Sequence, residues 1–96
     1  MYTSRMSDLA LPGSDLVEKG IDDLRRGLET IESLLVSQAV RALAEVGHPS
    51  PPGLADPELK LYRLLERLNG DGAHSKYNAY RRQLASFLRA ARCVQK

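Results

Sequence analysis

A small all-α helical bundle is the fold this sequence predicts, and three observations predict it. Apolar residues recur at intervals of three and four in three separate stretches, no stretch alternates apolar and polar residues as a half-buried strand would, and Gly- and Pro-rich breaks separate the stretches. The three main helices are expected at about 15–46, 57–69 and 76–94. Residues 1–13 read as a flexible tail, and 14–96 as a single helical domain with a Pro-rich connector at 47–56.

The first helix has a start signal in Pro12-Gly13-Ser14-Asp15, with Ser14 as the expected N-cap and Asp15 and Glu18 complementing the positive end of the helix. Val17, Ile21, Leu24, Leu28, Ile31 and Leu35 then step alternately by four and three, the spacing of a heptad seam. Glu18, Lys19, Asp22, Asp23, Arg25, Arg26, Glu29 and Glu32 form the opposite face, expected to lie in water with i,i+3 and i,i+4 pairs. Beyond Leu35 a second row takes over (Val36, Val40, Leu43), and Gly47 and Pro49 end the helix. Gly20 and Gly27 flank the seam, each costing about 1 kcal/mol relative to alanine in helix propensity. They are either tolerated or admit the close approach of another helix.

An unbroken helix over 15–46 would extend about 48 Å, whereas a compact chain of this length has a radius of gyration of only about 12–13 Å. The first helix therefore either bends near Ser33 to Ser37, or projects and has its seam covered by a second subunit or a partner.

Four prolines between 47 and 57 keep the connector out of helix. Asp56-Pro57-Glu58 restarts the helical pattern, with Asp56 as cap and Pro57 in the first turn. Leu61, Leu64, Leu65 and Leu68 face inward until Gly70-Asp71-Gly72 ends the helix. The last helix, with Ser75 as its expected cap, carries Tyr77, Tyr80, Leu84, Phe87, Leu88, Ala91 and Val94 on its apolar side. At about 100° per residue, Arg81, Arg82, Arg89, Arg92 and Lys96 fall within one arc of roughly 100°. No acid interrupts it.

The net charge of +2 hides this asymmetry: residues 1–70 carry 8 basic and 11 acidic side chains, while residues 71–96 carry 6 basic side chains against Asp71 alone. The chain reads as a mildly acidic body with a basic C-terminal helix.

Chemistry is harder to find. His48 and His74 fall in expected connectors with no Cys, His or acid at ligand spacing, so no metal is expected. No nucleophile elbow or phosphate-cradling loop is present, and Gly70-Asp71-Gly72 lacks the alternating oxygen ligands of a calcium loop. Cys93 is the one cysteine and lies at the edge of the basic arc; a single thiol forms no intrachain disulfide, which fits a reducing cytoplasm. No apolar run approaches the roughly 20 residues of a membrane span, and Met1 to Ala10 lacks the charged and apolar blocks of a secretory signal. Neither enzymatic activity nor a cofactor is expected.

Two contact surfaces follow. Leu24, Leu28, Ile31 and Leu35 are candidate apolar contacts, unless the seam is internal core; Arg81, Arg82, Arg89 and Arg92 are candidate polar contacts. The expected function is a non-enzymatic regulatory module, a homodimer or a binder of another protein such as a transcription factor. It would mask that partner's oligomerisation or DNA-binding surface stoichiometrically, as antiactivators, anti-sigma factors and secretion chaperones do. The rival is a small dimeric DNA-binding transcriptional regulator using the basic helix 76–94, since Lys76, Asn78, Arg81, Arg82 and Gln83 are residue types that reach base edges or phosphates. Two features oppose it: residues 70–75 make a long turn for a helix-turn-helix, and an acidic first helix repels phosphate.

Overall fold

The structure, a computed structural model, describes residues 11–94. It is all-α: α1 (Ser14–Arg25), α2 (Ile31–Ser37), α3 (Val40–Glu45), α4 (Pro57–Asn69), a 3-10 turn (Gly70–Gly72) and α5 (Ala73–Val94), with no strand among the described residues.

The second and third expected helices are present as α4 and α5. The first, expected over 15–46, is three helices, and its breaks fall before and after the Ser33–Ser37 stretch where a bend was anticipated. Gly27 is the cause of the first break. It takes φ +73°, and around it the Gly27 N–H donates to the Leu24 carbonyl at 3.1 Å and the Leu28 N–H to the Asp23 carbonyl at 2.8 Å. These two bonds are a Schellman termination. Three residues later Thr30 restarts the helix: its hydroxyl accepts from the Ser33 N–H while the Ser33 hydroxyl accepts from the Thr30 N–H, a reciprocal capping box. At the second break, the Ser37 hydroxyl donates to the Ser33 carbonyl at 2.7 Å, a back-bond that loosens a helix end. The same oxygen accepts the Leu54 N–H at 2.9 Å, which ties the Pro-rich connector to α2.

Folding back at Gly27 turns α1 and α2 into a helical hairpin, and Gly20 sets how closely they pack. A Cβ placed on Gly20 would lie 2.5 Å from the Glu32 carbonyl oxygen and closer still to a Val36 methyl. Of the two glycines beside the seam, Gly20 therefore admits another helix of the same chain, and Gly27 makes the turn.

The hairpin packs on α4, and α5 closes the bundle. Val17, Leu34, Leu35, Val36, Leu43, Leu61, Leu65 and Phe87 are fully buried at its centre. Packing three short pieces in place of one rod gives principal extents of 39 × 25 × 24 Å and a radius of gyration of 13.3 Å. No helix overhangs, so the overhang argument for a second subunit does not apply.

Local signals differ from expectation at three caps. Gly13 is the N-cap of α1 and Ser14 its buried first residue. Asp56 caps α4 through its backbone, with φ 48° and no side-chain cap bond. Ser75 lies inside α5, which starts two residues earlier at Ala73.

Candidate functional site

The burial pattern sorts the two candidate surfaces. Leu24 is 8% exposed and Leu35 0%; both belong to the core, which corrects their reading as contact residues. Folding the seam at Gly27 turns its two halves toward each other, so the periodicity that looked like a continuous interface is internal packing. Ile31 is half-buried against the same core, and Leu28, on the turn, is left 45% exposed. Leu59 and, against expectation, Leu68 and Val94 are exposed as well; single exposed apolar side chains are ordinary for a small protein.

The acids opposite the seam are not all in open water either. Asp23 is buried and its carboxylate accepts from Lys19 Nζ at 2.8 Å and from the Thr30 hydroxyl at 2.7 Å, bridging the hairpin. Those two hydrogen bonds hold the Asp23 carboxyl below its ordinary value, and the bond to Asp23 raises Lys19. Lys19 also reaches Glu32 at 3.6 Å, Arg26 pairs with Asp22 at 3.1 Å and Lys60 with Glu29 at 4.0 Å. Four of the hairpin's six acids are thus paired, three within the hairpin and Glu29 by Lys60 of α4.

The arginines of α5 present the opposite case. Arg81, Arg82, Arg89 and Arg92 are all exposed, and none forms an ion pair with any described residue. Because α5 begins at Ala73, His74 joins the same side: by helical rotation of about 100° per residue, His74, Asn78, Arg81, Ala85, Arg89 and Arg92 occupy one stripe roughly 80° wide, with Arg82 at its edge. From His74 to Arg92 the stripe runs about 27 Å. Its first turns are ordered by side-chain contacts. Asn78 Nδ2 lies 3.2 Å from His74 Nε2, the Arg81 guanidinium sits 5.7 Å over the Tyr77 ring, and Tyr77 packs edge-on against Tyr62 of α4 at 5.4 Å. Tyr77 and Tyr80 are half-buried rather than enclosed; by the same rotation Tyr77 lies about 40° from Arg81 and borders the stripe, while Tyr80 lies about 100° away. His74 was missed because the expected helix started too late to include it; no strong local start signal marks Ala73, whose burial against the bundle sets the start.

Elsewhere the described residues line open hollows. One of ≈ 440 Å³ beside the stripe is lined by Pro12, Gly13, Ala79, Arg82, Gln83 and Ser86. Another contains His48, whose ring stands edge-on to Phe87 at 5.0 Å. Neither brings a nucleophile onto a hydrogen-bonded base. Cys93 is exposed. Among the described residues no group of three or more His, Cys, Asp or Glu converges on a metal position, and no helix is long and apolar enough to cross a membrane.

Compared with models of known families, with characterised proteins and with solved structures, the chain finds no match.

Proposed function

We propose that the protein is a non-enzymatic regulatory module that acts by stoichiometric binding, with the arginine stripe of α5 as its working surface and an anionic macromolecular surface as its target. One observation carries this reading: four exposed arginines on one helix face lack carboxylate partners among the described residues, in a fold where four of the six hairpin acids are paired with other cations. Arginine is suited to such contacts, since its planar fork binds carboxylate or phosphate bidentately and is only weakly hydrated.

The burial of Leu24 and Leu35 reshapes the mechanism expected from sequence. A masking protein that relied on the apolar seam would have to unpack its own core. A cationic face also repels another protein's DNA-binding surface, which is itself cationic, so the masking of a DNA-binding surface is disfavoured. What the charge fits is an acidic partner.

The test is retention on heparin at low salt by the wild type and by the variant Arg81→Ala/Arg82→Ala/Arg89→Ala/Arg92→Ala. The wild type is expected to bind and to elute as salt rises, and the variant to pass through while keeping its helical circular dichroism. Passage of the wild type at low salt would sink the proposal.

A further inference from the structure

We infer that the anionic partner is duplex DNA, with the N-terminal half of α5 entering the major groove. This rests on reading α5 as the contact surface and adds the identity of what it contacts.

The connection between α4 and α5 is the first support. α4 ends at Asn69 and α5 begins at Ala73, so the turn is the three residues Gly70–Gly72. That is the length of a helix-turn-helix connection, in which the second helix reads the groove and the first lies across it. The expected six-residue turn, one of the two features opposing DNA, is absent. The other was the acidity of the first helix. Arg26, Lys19 and Lys60 engage Asp22, Asp23, Glu29 and Glu32, which offsets three of the six acidic charges of the α1–α2 hairpin, and none of those six lies on α4 or α5.

Residue chemistry separates DNA from an acidic protein. Specific protein interfaces place their aromatic and arginine anchors in a desolvated, apolar centre surrounded by a polar rim. The stripe offers little of such an apolar centre: Ala85 is the one apolar residue within it, and Leu88 and Tyr77, along one border, are half-buried against the bundle. Contact with DNA needs no such centre: half or more of the hydrogen bonds go to phosphates and sugars, and the rest to base edges. Asn78, Arg81 and Arg82 near the start of α5 are types that pair bidentately with adenine or guanine, and Arg89 and Arg92 follow where a groove-reading helix rises toward the backbone. An α-helix with side chains is about 10–12 Å across, and the major groove is about 12 Å wide. Duplex RNA is a poor alternative because its major groove is too deep and narrow for a helix. Over the 27 Å of the stripe, DNA presents roughly one phosphate charge per 1.7 Å.

Fluorescence anisotropy with a labelled mixed-sequence duplex DNA about two helical turns long tests this, with duplex RNA of the same sequence and poly-L-glutamate as competitors. The expected result is binding at low salt whose log affinity falls with log salt at a negative slope of at least about 1.8 in magnitude, the two phosphate contacts of Arg89 and Arg92 at about −0.9 each. Arg89→Ala/Arg92→Ala should lower the slope by about 2. The four-arginine variant should lose at least tenfold in affinity, with an unchanged thermal midpoint. DNA as partner is overturned if poly-L-glutamate or duplex RNA displaces the duplex as well as unlabelled DNA does; the stripe then remains a contact surface for another anion. If heparin retains the protein but the duplex does not bind, the DNA inference alone fails. If neither binds, the proposed function fails with it.

Discussion

Replacing Gly20 with alanine should destabilise the protein, against the direction helix propensity alone predicts. Gly20 lies within α1, and exchanging glycine for alanine inside a helix ordinarily stabilises by about 1 kcal/mol. Here the new methyl would meet the Glu32 carbonyl oxygen at 2.5 Å and a Val36 methyl nearer still. The first of these is roughly 0.9 Å short of ordinary van der Waals contact. It is a backbone atom, so relief requires α2 to move away from α1. That movement strains the Gly27 turn and the Asp23–Thr30 bond at its base. Overpacking of this kind costs about 1–3 kcal/mol, and the upper part of that range applies because the obstacle is backbone. Subtracting the propensity gain leaves about 1–2 kcal/mol of destabilisation. In a domain of this size about 1 kcal/mol moves the midpoint by roughly 4–8 °C. Thermal and urea unfolding followed by far-ultraviolet circular dichroism should therefore show Gly20→Ala melting below the wild type, by at least about 4 °C. A midpoint equal to or above the wild type would refute the close approach of α1 and α2 at this point.

Three further outcomes follow from the same packing. Leu35→Ala, in a fully buried position, should cost about 2–5 kcal/mol, whereas Leu28→Glu on the exposed turn should leave the fold intact and shift stability by less than about 1 kcal/mol; equal losses in urea denaturation would contradict the division of the seam. The Asp23 carboxyl is held below its ordinary value in the folded state, so the stability it contributes is fully present above the unfolded carboxyl value near pH 4 and is lost as pH falls through the lower folded value. Melting midpoints measured from neutral pH downward should fall in this acid range, and Asp23→Asn should flatten that part of the fall; an unchanged acid limb would count against the bridge. Ser37→Ala leaves the Leu54 N–H without its acceptor and should cost about 1–3 kcal/mol, with amide exchange at Leu54 quickening before the helices are affected; unchanged exchange there would mean the connector is held by something else.

Much of this structure is written in local sequence. The all-helical class, the Pro-rich connector, the α4 start at Pro57 and the acid-free arginine face of α5 each depend on neighbours a few residues away, and periodicity reports those directly. Even the Gly27 break has a local trace: a glycine stop followed by the Thr30-x-x-Ser33 start. A seam that continued across it at heptad spacing obscured that trace, because Leu28 and Ile31 keep the period whether the helix runs on or folds back. Similarly, Ala73 and His74 carry no strong start signal, and burial of Ala73 against the bundle sets where α5 begins. Tertiary structure decided what spacing cannot express, namely which partner each face meets. A row of leucines has the same period whether it packs on its own chain or on another, and only folding back at Gly27 placed Leu24 and Leu35 in the core. An acid on a helix face looks solvated until a lysine and a threonine converge on it, as Lys19 and Thr30 do on Asp23. The arginines of α5 were visible from the start; that all four stay exposed, with no ion pair to another described residue, was settled by the arrangement of the helices in space.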